Sequence, residues 1–134
     1  MWDVGLNMFY DHPFTGVGDS HVSDVYKLYK EPEFHGEGSH LHSNFLMILA
    51  TTGIFGFICY IGMIISIFLK QLKLYSKEKE PGIDRALLFG SVLVMISFNI
   101  AGVFEWSFGD HEVMTVFFFL ISIPFIIYSI SSSN

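Results

Sequence analysis

Residues 44–69 read NFLMILATTGIFGFICYIGMIISIFL, a stretch without a single Asp, Glu, Lys or Arg. About 20 residues in a helix, each rising about 1.5 Å, cross the roughly 30 Å hydrocarbon core of a bilayer. The stretch is therefore read as a membrane span. Two more runs of the same character follow, ALLFGSVLVMISFNIAGVF at 86–104 and VMTVFFFLISIPFIIYSI at 113–130. Three spans in 134 residues agree with an apolar fraction of 51%, an aromatic fraction of 17% and a mean hydropathy of +0.50. The expected fold class is all-α: a polytopic transmembrane helical protein with about three spans.

The segments between the runs set the orientation. KQLKLYSKEKEPGIDR at 70–85 carries Lys70, Lys73, Lys77, Lys79 and Arg85, five of the seven basic residues in the chain, with Pro81-Gly82 as the turn. Basic residues flanking spans are retained on the cytoplasmic side. That predicts 70–85 inside, with the polar N-terminal segment 1–43 and the link 105–112 outside. All six histidines then fall outside: His12, His21, His35, His40, His42 and His111. Ten of the thirteen acids accompany them, so chemistry is expected on the outer face. The net charge of −6 would argue against a nucleic-acid partner for a soluble protein, but beside spans the side each charge occupies matters more; membrane lipid is the expected partner of the apolar runs, and no nucleic acid is expected.

No basic stretch followed by a short apolar core opens the chain, so no cleavable export signal is read. An outward 43-residue segment followed by three spans is expected to be the C-terminal piece of a longer protein. Cys59 has no thiol partner for an internal disulfide and reads as a small packing residue. Gly53 and Gly56 read as sites of close helix approach, and Asn99 as the donor of an interhelical hydrogen bond. Pro124 should kink the third span, with neighbours satisfying the freed carbonyl.

The densest polar constellation is HGEGSHLHSN at 35–44. His40 and His42 share a face if the stretch is extended. Ser43 or Asn44 caps the following helix. His42 thus stands beside a helix N-terminus, where partial positive charge favours neutral imidazole and exposed amides suit a phosphate. A neutral histidine can act as general base on a hydroxyl. The same residues also read as solvated loop histidines, or as a metal site of His35, His40 and His42, although the spacing fits no structural zinc pattern. The second constellation is 105–112, where Glu105, Asp110 and Glu112 crowd a short link between spans. It reads either as part of an outward site, since charges beside hydrocarbon turn toward water or a partner, or as an interfacial turn anchored by Trp106.

HPFTGVG at 12–18, HLHSNFL at 40–46 running into TTGIFG at 51–56, and GVFEWSFGDHEV at 102–113 together resemble the O-antigen ligase and polymerase family, over about residues 2–128. The resemblance implies a glycosyltransferase that moves a glycan from undecaprenyl pyrophosphate to a lipid A core or another glycan acceptor. It implies His42 as the acceptor-activating base and His40 as its less essential partner. Asn44, Glu105, Asp110, Lys27 and Lys30 are the candidate substrate contacts, and neither metal nor cofactor is called for, because pyrophosphate is a good leaving group that cations can neutralise. The family presents outward arginines to the pyrophosphate, whereas Arg85 is expected inside. Lys27 and Lys30 are the outward cations here, without the bidentate fork of arginine. Exopolysaccharide polymerase of the same family, or a non-enzymatic membrane module whose histidines bind a divalent metal, are the rival readings.

Overall fold

The structure is a computed structural model, and it describes residues 2–18, 22–29 and 41–132. Its described residues form five helices: α1 (Trp2–Asp11), α2 (Val22–Tyr29), α3 (Asn44–Lys77), α4 (Ile83–Ala101) and α5 (His111–Ser132). The all-α expectation holds. Three of them, α3, α4 and α5, are long and apolar enough to cross a membrane. The chain divides into two compact units, Met1–Gly62 with Gly102–Gly109, and Met63–Ala101 with Asp110–Asn134.

In the first unit, α3 is not one straight rod. Gly53 sits inside it at φ +66 and ψ −168, far from helical values, so two helical arms meet there. In a straight helix, residues fifteen apart are separated by about 22 Å, yet the rings of Phe45 and Tyr60 are 6.0 Å apart. The arm 44–52 is therefore folded back along the arm beginning at Ile54. The sequence reading of Gly53 as a packing residue needs correcting, because Gly53 is the corner. A Cβ there would lie 2.4 Å from the Phe14 backbone, and the left-handed φ adds strain for any other residue.

A broken helix leaves amides and carbonyls unpaired. The HPFTGVG segment supplies their partners. Ile54 N–H donates to Pro13 O at 2.8 Å, while Val17 N–H and Gly18 N–H donate to Ala50 O and Thr51 O, each at 2.9 Å. Gly16, at φ +66, lets this turn lie against the arm, since a Cβ would meet Thr51 and Thr52 backbone atoms at 2.2–2.4 Å. Gly56 provides the same closeness within α3, where a Cβ would collide with the Thr52 side chain. Thr51 and Thr52 hydroxyls donate back to Met47 O and Ile48 O at 2.7 Å, closing the end of the first arm.

The core of this unit consists of Val4 and Met8 of α1, Val22 and Tyr26 of α2, and Leu41, Leu46, Met47 and Ala50. The two short N-terminal helices thus bury their apolar faces on the arm that follows the histidine motif. Gly5 leaves room for Leu41, whose methyl carbon would lie 2.9 Å from a Cβ. Asp11 accepts a hydrogen bond from the Tyr29 hydroxyl, linking the α1 and α2 ends and raising the phenol's pKa above its ordinary value, with burial adding to the same direction.

In the second unit, α4 and α5 pack on each other, with Phe98 and Phe117 stacked at 3.9 Å. Pro124 removes the N–H that would reach Leu120 O. The buried Gln71 side chain donates to the next carbonyl, Ile121 O, at 3.5 Å. Asn99 donates to Met95 O, one turn back on its own helix at 2.8 Å, and not across to a neighbour as expected. Cations near the α3–α4 turn lie over aromatic rings: Lys70 and Lys77 of α3 on Phe125 and Tyr128, and Arg85 of α4 on Tyr75, 5.0–5.5 Å from the centroids. Cys59 lies on an exposed face, not in packing as expected.

Alanine at Gly18, where φ is +82 but no atom lies within 4 Å, should cost about 1 kcal/mol from strain alone. Gly53→Ala and Gly16→Ala must in addition displace backbone, and should cost at least about 3 kcal/mol. Thermal unfolding of the three detergent-solubilised variants checks this order; equal losses would contradict the docked corner.

Candidate functional site

The folded-back arm starts at the histidine motif, and the turn after α4 is laid across that start. Three consecutive residues touch it. His42 Nδ1 stands 3.6 Å from Glu105 Oε1, an ion-pair separation longer than a hydrogen bond. Ser43 Oγ donates to Gly102 O at 3.3 Å and accepts from Leu46 N–H at 3.4 Å, so Ser43 is the helix cap. Asn44 N–H donates to Gly102 O at 2.7 Å and Glu105 O at 3.2 Å, and Asn44 Oδ1 accepts from Ser107 N–H at 2.7 Å. Ser43 and Asn44 are each 1% exposed.

His42 and Glu105 differ from these two in being accessible, with 43% and 61% of their side chains exposed. Glu105 Oε1 also accepts from Trp106 N–H at 3.2 Å, which holds the carboxylate near its own turn. Trp106 in turn packs against the core of this unit, and its indole excludes a side chain at Gly109, where a Cβ would sit 2.5 Å from Nε1. The turn is therefore anchored at Gly102, Ser107 and Trp106, with Glu105 between the anchors.

The expected phosphate site at the helix start has fewer amides than the sequence suggested. The N–H groups of Asn44, Leu46 and Met47 already have protein acceptors: Gly102 O, Ser43 Oγ and Ser43 O. What remains of the helix end is chiefly its dipole. Beside it, Trp2, Phe45, Leu46, Leu49, Phe57 and Val103 line an apolar recess of about 410 Å³.

The other sequence candidates are distributed unevenly. Lys27 lies on the exposed side of α2, 3.5 Å from Asp24 one turn earlier. Asp110 caps α5, its Oδ1 accepting from Glu112 N–H at 3.0 Å and Val113 N–H at 3.3 Å. His40 and Lys30 lie outside the described residues, as do His21 and His35, so the expected face shared by His40 and His42 lies there too. Among the described residues no three His, Cys, Asp or Glu side chains stand close enough to hold a metal ion. A larger groove of about 660 Å³ runs between α4 and α5, but Glu112 is the one charged residue on its otherwise largely apolar wall. Sequence reading missed Gly102 and Ser107, whose roles are a carbonyl acceptor with no Cβ and a backbone amide. Neither role depends on a chemically distinctive side chain.

Residues 1–61 match the O-antigen ligase family. The matched part contains the corner-docking motif 12–18, the histidine motif 40–46 and the corner itself at 51–56, so the resemblance read from those residues is borne out. Its three long apolar helices make the chain a multi-pass membrane protein, and over residues 1–61 it is similar to O-antigen ligases. No match was found among curated proteins. The motif at 102–113 lies beyond the matched residues, and it is the partner that the matched histidine motif touches in space.

Loss of the α5 cap in Asp110→Ala should cost about 1 kcal/mol, with Asp110→Asn much closer to wild type, because the cap needs an oxygen and not a charge. Chemical unfolding of both variants in detergent tests this assignment. Equal losses would instead point to a role for the charge.

Proposed function

We propose that the protein works in the bacterial inner membrane, with 1–43 and 105–112 facing the periplasm, and transfers a glycan from undecaprenyl pyrophosphate to a lipid A core. The observation that carries the chemistry is the accessible His42 imidazole with a carboxylate 3.6 Å from its Nδ1. An acceptor hydroxyl oxygen attacks the anomeric carbon of the donor sugar. The bond from that carbon to the pyrophosphate oxygen breaks, and undecaprenyl pyrophosphate leaves. His42 Nε2 takes the hydroxyl proton as the new glycosidic bond forms. Glu105 holds Nδ1–H and stabilises the imidazolium, a contact that tightens as substrate closes the site, since catalytic contacts are often long without ligand.

The departing pyrophosphate carries its negative charge toward cations and dipoles. The start of α3 offers the positive end of a helix dipole, and Lys27 and Lys30 are the cations of the same N-terminal segment. His40 assists His42. In this reading Asp110, whose oxygen caps α5, helps to shape the acceptor side. The apolar recess bounded by Trp2, Phe45 and Leu49 suits a hydrocarbon portion of a lipid-linked substrate.

Complementation of a ligase-deficient strain tests this, using the reading frame that encloses the chain and monitoring its membrane abundance. Wild type should restore glycan-capped lipid A. His42→Ala should lower capping by 10²-fold or more, and Glu105→Gln by about 10-fold. A well-expressed wild type that extends free glycan chains but caps no lipid A would make the protein a polymerase. Full capping by His42→Ala would remove the histidine from the mechanism.

A further inference from the structure

We propose that Asn44 is a positioning residue, which sets Glu105 against His42 and acts on the reaction only through that pair. The inference rests on the transfer reading above, and gives Asn44 a different task from touching substrate. The side chain is 1% exposed, so a glycan or phosphate in the accessible space around His42 does not reach it without displacing protein.

The polar groups of Asn44 are directed at one short turn. Its N–H reaches Gly102 O and Glu105 O, and its Oδ1 takes the Ser107 N–H. These contacts bracket Glu105 on both sides, at 102 and at 107. The amide nitrogen is accommodated by the absence of a side chain at Gly102, where a Cβ would stand 2.5 Å from Nδ2. Asn44 and Gly102 are thus complementary in shape as well as in hydrogen bonding.

The turn needs such a tie because Glu105 itself is poorly held. Its carboxylate is mostly exposed, and the Trp106 amide that it accepts from belongs to the next residue, so that bond moves with the turn. A shift of about 1 Å in the turn takes Oε1 from contact range to a water-separated distance from Nδ1. Displacements of that size in a catalytic constellation cost on the order of 10²-fold in rate. Nδ2 has no partner among the described residues. Its burial against Gly102 at some cost in hydrogen bonding argues that the amide is retained for the geometry that Oδ1 enforces.

A double-mutant cycle on the full-length protein in proteoliposomes distinguishes positioning from substrate binding. Asn44→Ala should lower kcat by about 10-fold, no more than Glu105→Gln does, leave KM for the lipid-linked donor within about twofold, and add no further loss to Glu105→Gln, because residues acting as a unit are not additive. Losses that multiply, or a KM raised tenfold with kcat intact, would overturn the proposal. A second arm needs no activity, so it stands even if the transfer reading fails. ¹⁵N NMR of histidine-labelled protein should report His42 as the Nδ1–H tautomer in wild type and a shift toward Nε2–H in both Asn44→Ala and Glu105→Gln. Asn44→Asp, which keeps an oxygen for Ser107 N–H, should retain the wild-type tautomer and guards against simple misfolding of the alanine variant. An unchanged tautomer in folded Asn44→Ala overturns the proposal.

Discussion

Hydrogen bonds between the HPFTGVG turn and the broken helix are the constraint on which the first unit depends. A helix that stops and restarts at Gly53 exposes carbonyls at Ala50 and Thr51 and an amide at Ile54. Leaving buried backbone groups unpaired costs about 1–3 kcal/mol each. Pro13, Val17 and Gly18 supply the partners, and two left-handed glycines permit the close approach. With the corner sealed, the arm 44–52 can return alongside the rest of α3 and carry its first residues back to the level of Tyr60.

That return is what creates a site. Had the apolar run continued straight, His42 would stand at the far end of a long rod, about 27 Å in helix rise from Tyr60. Folded back, the start of the arm meets the 102–109 turn, and the ring of Tyr60 meets Phe108 at 5.6 Å. Irregular backbone among spanning helices is tolerated where protein or a cavity satisfies it. Here the same irregularity brings together a histidine and a carboxylate that are far apart in sequence.

The division of labour within His42-Ser43-Asn44 follows from exposure. The outer member is accessible, while the two buried members cap the helix and hold the turn. Glu105 has the complementary arrangement, an exposed carboxylate between buried anchor points. Backbone contacts of buried residues thus place two side chains that remain accessible to solvent.

The sequence by itself determined the class of the fold. Three uncharged runs needed hydrocarbon around them, and no tertiary detail was required to read that. It also marked the histidine motif and Glu105 as polar residues at span ends, and its HPFTGVG and TTGIFG strings carried the family resemblance. What it could not show was that Gly53 is a corner, because a glycine in an apolar run looks alike whether it packs a helix or breaks one. Nor could it separate Asp110, used as a cap, from Glu105, turned toward His42, since both are acids in one polar link. Those assignments depend on backbone direction and on which amides already have partners. They exist only once residues 13–18 reach the helix break and residues 102–107 reach Asn44, contacts between segments distant in the chain that no local pattern encodes.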